Sequence, residues 1–259
     1  TGGTITTISA PATTVKPTNV QDNSILVEKD TANRYWFDAE ITNTPTYETN
    51  FSTNTGWTTV GSGVSVTGGE LKGNAFSSSG DNRTHYDLGS INDTAWVMKF
   101  EYTPTSSTSG AYYMPIALTA GSNALNGSYD AIRLYIDMGS YTSFWRSKDG
   151  STEGSTGTTY NLTAGTKYYY TVTNNNKTLT SVARTGSHTG TTVSTGTTTI
   201  QSGVTGLTHI QSGASSFNAG TNTYSIDNLE FYNGVTSVIT PATWVDGCNN
   251  SVTSTGTLG

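Results

Sequence analysis

The chain is poor in the residues that usually announce a chemical mechanism. A single cysteine, Cys248, stands among 259 residues. That excludes an internal disulfide framework and a cysteine-built zinc site, and leaves Cys248 as a partly buried spectator. Histidine occurs three times. His85, His188 and His209 fall in separate Thr/Gly-rich stretches and no G-x-S-x-G turn precedes a helix, so no nucleophilic triad can be read. Charged residues make up only 12% of the chain and the net charge is −6, with no run of Lys or Arg. A binder of phosphate backbones needs such a run, so nucleic acid is excluded as a partner. No apolar stretch is long enough to cross a bilayer and no signal-peptide pattern occurs, so membrane insertion is not expected. Proline is scarce at six residues. Low charge, little proline and 15 tyrosines are not the composition of a disordered chain. No window of ten or more residues shows helical periodicity. The opening "TGGTITT" has no Met and reads as a processed or trimmed piece of something longer.

What remains is abundant Thr, Ser, Asn, Tyr and Val, with 29 Gly. Thr, Tyr and Val favour strands, while Gly, Asn and Ser furnish turns. The fold class is therefore all-β. Residues 1–19 read as an extended Thr-rich segment. In 20–40, "SILVE" and "RYWFD" read as the strands of a β-hairpin turning at "KDTAN". From 41 to 234, ten to twelve strands separated by polar turns imply a two-sheet antiparallel sandwich. Its clearest strand is "AWVMKFEYTP", with Trp96, Met98 and Phe100 on one face, and the Gly68–Gly69 pair marks a tight hairpin. Residues 235–259 read as an extended tail or the start of a following module. Seven N-x-S/T sequons occur, at Asn50, Asn82, Asn92, Asn126, Asn161, Asn176 and Asn249. In a chain so rich in Asn, Thr and Ser, chance accounts for most of them.

Two stretches carry possible sites. In "YSIDNLEFYNG" (224–234), Leu229 and Phe231 occupy one phase of a strand, whereas Tyr224 and Ile226 occupy the other. Either the strand bulges near Asp227–Asn228, or Asp227 points its carboxylate into the sandwich. In "YDAIRLYIDMGSYTSFWRSKDG" (129–150), Ile132, Leu134 and Ile136 share a face, leaving Arg133, Tyr135 and Asp137 on the other. With Tyr113, Tyr141, Trp145 and Arg146 these form a candidate sugar-binding set, because aromatic faces stack on pyranose rings and polar groups bond their hydroxyls. The alternative is that the aromatics fill the core, with Phe144 and Trp145 split between the two faces.

The stretch "NFSTNTGWTTVGSGVSVTGGELKGNAF" together with "YSIDNLEFYNG" resembles concanavalin A-like jelly rolls of the laminin-G and carbohydrate-binding-module type, over roughly residues 47–232. That resemblance implies a two-sheet jelly roll and, in several relatives, a structural Ca²⁺ joining the first and last strands. Carried onto this chain, its ligands would be Glu48, Asn50 and Asp227. Many relatives have an Asp at the Thr49–Asn50 position, which this chain lacks. The segment "PTNVQDNSILVEKDTANRYWFD" resembles an element of phage and viral structural proteins, with Glu28, Asp30, Thr31 and Tyr35 matching.

Jelly-roll glucanases of the retaining kind carry E-x-D-x-x-E on one strand. Here "SIDNLE" puts Ser225 where the nucleophile belongs, and Glu230 falls out of phase with Asp227 unless the strand bulges. The expectation is thus a non-catalytic structural or surface protein: a virion appendage, capsid decoration or extracellular fibre subunit, at the virion or cell surface. Its partners would be other copies or subunits of the assembly. The alternative is a carbohydrate-binding adhesin module recognising host or environmental glycans, and a divergent glycan hydrolase ranks last.

Overall fold

The computed structural model describes residues 25–27, 34–38, 41–74, 82–106, 112–122, 125, 127–137, 140–214, 223–240 and 243–245. The segment 1–19, the turn at 29–33, Asn126, Cys248 and Asn249 lie outside the described residues. No helix occurs among those described.

The chain forms two compact units, Thr1–Asn43 with Ile239–Gly259, and Thr44–Val238. In the first, β1 (Ile25–Val27) pairs with β2 (Arg34–Asp38) in antiparallel register, Leu26 opposite Tyr35. Strand β3 (Ile41–Thr42) pairs with a strand at Ile239–Thr240, and a strand at Thr243–Val245 joins the other edge of β2. The region after 235 therefore returns to pair with the region before 43.

The second unit comprises β4 (Tyr47–Thr49), β5 (Thr58–Val60), β6 (Val64–Thr67), β7 (Glu70–Gly73), β8 (Asn82–Asp87), β9 (Ala95–Ser106), β10 (Tyr112–Thr119), β11 (Ala131–Asp137) and β12 (Thr142–Asp149). It continues with β13 (Thr152–Glu153), β14 (Tyr160–Asn161), β15 (Tyr168–Asn175), β16 (Thr178–Thr185), β17 (Thr191–Thr199), β18 (His209–Ala214) and β19 (Thr223–Asn233). These make two antiparallel sheets. The front sheet runs β13-β12-β11-β10-β18-β8-β5 with β14 beside β12, and the back sheet runs β17-β16-β15-β9-β19-β7-β6 with β4 beside β19.

The turn chemistry follows the sequence. Gly68 and Gly69 link β6 and β7 with φ of 64° and 79°, the two positive dihedrals that a two-residue hairpin turn needs. Asn176 and Lys177 turn β15 into β16 in the same way, with φ of 48° and 66°.

The inner faces alternate as a half-buried sheet should. Trp96, Met98, Phe100 and Tyr102 of β9 meet Ile132, Leu134 and Ile136 of β11 in one core that also takes Trp145, Tyr170, Tyr224, Leu229 and Phe231. Tyrosines fill much of the space because their hydroxyls find partners. The Tyr102 and Tyr113 hydroxyls bond each other, and Tyr224 bonds Ser212 Oγ at 2.7 Å.

The conflict at Asp227 resolves as a bulge. The pairing of β19 with β9 shifts register between Asp227 and Glu230, and Asn228 adopts φ 46°. One extra residue lets Tyr224 and Ile226, then Leu229 and Phe231, all face the core. Asp227 stays on the outer side, half-buried, and accepts the Asn228 amide at 2.7 Å.

Strands β10 and β11 break the alternation, being buried on both faces. Their outer side carries a second apolar cluster of Met114, Ala117, Leu125, Tyr135 and Phe144. Leu125, between β10 and β11, therefore lies over the front sheet.

Candidate ligand-binding face

The candidate site is this outer side of the front sheet, and strand register decides who stands on it. Side chains alternate along a strand, so neighbours in sequence have opposite fates. In β11, Arg133 and Tyr135 point outward while Ile132, Leu134 and Ile136 enter the core. In β12, Arg146 lies opposite Arg133 and Phe144 opposite Tyr135, whereas Trp145 faces inward. In β10, the register shifts between Tyr113 and Ile116, so that Tyr113 and Ile116 face inward and Met114 and Ala117 outward.

The aromatic members form a platform. Tyr135 stacks on Phe144 with ring centroids 5.3 Å apart and planes 9° from parallel. Tyr112 meets both edge-on, at 6.1 and 5.8 Å, and remains 43% exposed. The Arg146 guanidinium covers the pair, 5.5 Å from the Tyr135 ring and 5.3 Å from Phe144.

Beside the platform the face becomes cationic. Arg133 and Arg146 stand directly across from each other, an arrangement that repels unless a counter-charge intervenes. Glu153 of β13 provides it. Its Oε1 accepts from Arg133 Nη1 at 3.2 Å, and Oε2 lies 3.9 Å from Arg146 Nη1. The Tyr135 hydroxyl accepts from Arg133 at 3.1 Å. Arg133 is only 2% exposed, yet among the described residues its Nε and Nη2 have no hydrogen-bond acceptor, and neither has Arg146 Nε.

The connection from β10 to β11 is tied down across the same face. Arg83 Nη2 donates to Ser122 O at 2.8 Å, Gln211 Nε2 to Gly121 O at 2.8 Å, and Lys148 Nζ to Gly127 O at 2.6 Å. Tyr129 from this connection packs against Arg133, its ring centroid 5.6 Å from the guanidinium carbon. Burial pushes the Tyr129 phenol up to about 12, with the Arg133 charge pulling against it. Lys148 is shifted down by burial and by the Arg133 charge.

Of the sugar-binding set read from the sequence, Arg133, Tyr135 and Arg146 meet on this face, and Asp137 ends β11 opposite Tyr112. Three members stand elsewhere, which corrects the expectation for them. Tyr113 is fully buried and bonded to Tyr102. Trp145 is in the core with its indole N–H on Ser181 Oγ at 3.0 Å. Tyr141 packs against the inner core from the turn before β12. Tyr112 and Phe144 occupy the face instead, one residue away from Tyr113 and Trp145. Strict alternation outward from Arg133 and Arg146 would have selected Phe144. Glu153, Lys148, Arg83 and Gln211 had no sequence signal, because register between distant strands brings them in.

Two of the histidines also come together. The His85 and His209 rings lie 5.7 Å apart, with burial first and then Arg83 lowering the pKa of His85. Among the described residues, no three His, Cys, Asp or Glu side chains gather into a metal-binding group.

The calcium ligands implied by resemblance come from β4 and the residue after it, and from β19, which pairs with β4. Asn50 Oδ1 accepts the Ser52 amide at 3.1 Å, Asp227 Oδ1 accepts the Asn228 amide, and Glu48 pairs with Glu230 in register. Asp227 is raised by burial, with Glu101 and Glu70 adding to the effect. Its carboxylate neighbours are thus on β9 and β7.

The bulge removes the phase objection to a carboxylate pair, since Asp227 and Glu230 now share the outer side of β19. They nevertheless act separately. Burial raises Glu230, but its bonds from Lys99 at 2.7 Å and Tyr232 at 2.6 Å outweigh it and lower the group overall. The groups that shift Asp227 are Glu101, Lys167 and Glu70, not Glu230.

Two antiparallel sheets packed face to face define the class of the Thr44–Val238 unit: a jelly-roll sandwich. No protein-family profile and no curated protein sequence matches the chain. Solved structures do. Lectin I-B4 from Griffonia simplicifolia is similar with a TM-score of 0.53 at 10% identity, over 73% of this chain and 100% of the lectin. The CBM2 module of the evolved Dit of Lactobacillus casei BL23 phage J-1 gives 0.52 at 11% identity, over 76% of this chain and 98% of the module. The GH43 BlXynB protein from Bacillus licheniformis gives 0.52 at 12% identity, over 72% of this chain but only 39% of that protein. This chain therefore spans about two fifths of the GH43 protein's length. At these identities the likeness is one of fold.

Proposed function

We propose that the Thr44–Val238 unit is a non-catalytic carbohydrate-binding module and that its glycan lies on the Tyr112–Tyr135–Phe144 platform. One observation carries this reading: three aromatic rings and Arg146 are assembled on the outside of a sheet whose core is already filled. A protein does not need a half-exposed tyrosine set edge-on against two stacked rings for its own stability, whereas a pyranose ring needs such a surface. The lectin and the phage Dit module with the same fold support the reading. A hydrolase reading draws on the likeness to the GH43 protein, and Asp227 and Glu230 do not form the paired acid and base that it requires. A glycan array probed with the full chain tests the proposal. Binding to at least one glycan class is expected, and uniform silence overturns it.

A second reading concerns the other unit. Ile25, Ile41 and Ile239 are 43%, 51% and 46% exposed, all within the unit formed by residues 1–43 and 239–259. Exposed β-branched side chains on short strands favour assembly with further copies, as a virion or cell-surface subunit requires. Sedimentation of the full chain as a strict monomer at all concentrations would refute it.

A further inference from the structure

We propose that the cationic part of the front face recognises an anionic group carried on a glycan, a carboxylate or a sulfate, with Arg133 and Arg146 as its receptor. This rests on the carbohydrate reading and adds the substrate class to it.

The first ground is charge. The chain as a whole is acid-rich at −6. Yet three of its five arginines, Arg83, Arg133 and Arg146, and one of its seven lysines, Lys148, come from three different strands onto one face. Among the described residues, the acids in the same phase are Glu153 on the edge strand β13, Asp137 at the end of β11 and Asp87 at the end of β8. Asp87 accepts the Gly89 amide at 2.8 Å and pairs with His209 in register. The cations therefore outnumber the acids around β11 and β12, where Arg133 and Arg146 share Glu153 between them.

The second ground is hydrogen bonding. A guanidinium nine-tenths buried should have its N–H groups satisfied, and Tyr129, Tyr135 and Glu153 leave two of those on Arg133 without an acceptor among the described residues. Glu153 and Tyr135 engage only Nη1 of Arg133. The remaining groups, Nε and Nη2, form the side-on edge whose two parallel N–H bonds match the two oxygens of a carboxylate or sulfate. Directly across the strand pair, Arg146 contributes a third buried N–H without an acceptor, its Nε. Glu153 orients the fork from behind, and the aromatic platform adjoins it. A sugar ring stacked on Tyr112 and Phe144 would thus carry its acidic substituent toward Arg133.

The experiment measures binding of the full chain by calorimetry to oligogalacturonate, its neutral methyl ester, dextran sulfate, dextran and inorganic sulfate. An acidic glycan is expected to bind at least tenfold more tightly than its neutral counterpart, with affinity falling as NaCl is raised. Arg133→Lys, which retains the charge but not the fork, should remove at least tenfold of the acidic affinity. Should Arg133→Lys not fold, Arg146→Lys and the salt dependence of the natural chain decide the question. Equal affinity for acidic and neutral forms overturns the anion assignment while leaving the carbohydrate reading in place. Silence toward every glycan, acidic and neutral, overturns both. Binding of inorganic sulfate without any acidic glycan overturns the assignment as well.

Discussion

Replacing Tyr112 and Tyr113 separately with alanine tests which side of the front sheet binds and which side packs, because the two are adjacent in sequence and opposite in fate. Tyr113 is fully buried, stacks on Tyr224 at 5.0 Å with planes 12° apart, and shares a hydroxyl bond with Tyr102. Removing it opens a large cavity, about 3–5 kcal/mol for an aromatic side chain. It also strands the buried Tyr102 hydroxyl, a further ~1 kcal/mol or more. At roughly 2–4 °C per kcal/mol for a unit of this size, the melting temperature should fall by about 8–24 °C. Tyr112 is 43% exposed and meets Tyr135 and Phe144 edge-on. Its loss should cost the fold about 0.5–1.5 kcal/mol. Glycan affinity should drop by about 5–30-fold, the equivalent of ~1–2 kcal/mol of lost stacking. Thermal unfolding and calorimetric titration on both variants separate the two effects. If Tyr112→Ala melts as low as Tyr113→Ala, or binds glycan as the natural chain does, the assignment of faces is wrong.

Three further outcomes are expected. Gly73→Ala should destabilise the fold by about 1–3 kcal/mol, although alanine is intrinsically the better strand residue, because the added Cβ would sit 2.0 Å from Tyr224 Cε1. In a Tyr224→Ala background that cost should vanish, and additive effects would refute the clash. His188 is lowered to about 4 by burial and by Lys99, with Arg184 adding to the lowering and Glu230 and Glu101 opposing it. Its folded pKa lies below the unfolded value, so its contribution is complete above about pH 6.5 and is lost as the pH falls toward 4. The full displacement would correspond to roughly 3.4 kcal/mol, and solvent screening of a half-buried ring reduces this to about 1–2 kcal/mol. His188→Gln should flatten stability over that window, and an unchanged pH profile would count against it. Addition of EDTA should leave the melting temperature unchanged, since Asn50 and Asp227 each already accept a neighbouring backbone amide. A fall of several degrees would restore the calcium tie between the first and last strands.

The sequence by itself determined the class of fold. Alternation along "AWVMKFEYTP" placed Trp96, Met98 and Phe100 in the core, and the Gly68–Gly69 pair marked its hairpin, because strand period and turn dihedrals are local properties. The phase conflict in "YSIDNLEFYNG" was equally visible, but sequence could not choose between a bulge and an inward carboxylate. Pairing with β9 chose the bulge, and Asp227 became a half-buried rim residue. The same limit explains the site. Alternation placed Arg133 and Tyr135 together within one strand. Alternation from Arg146 also pointed to Phe144 rather than Trp145, but tertiary structure alone replaced Tyr113 by Tyr112, since a one-residue change of phase exchanges the two faces of a sheet. It alone brought Glu153, Lys148 and Arg83 to the face of Arg133, because cross-strand register is fixed by the packing of the whole sandwich and by no single stretch of chain.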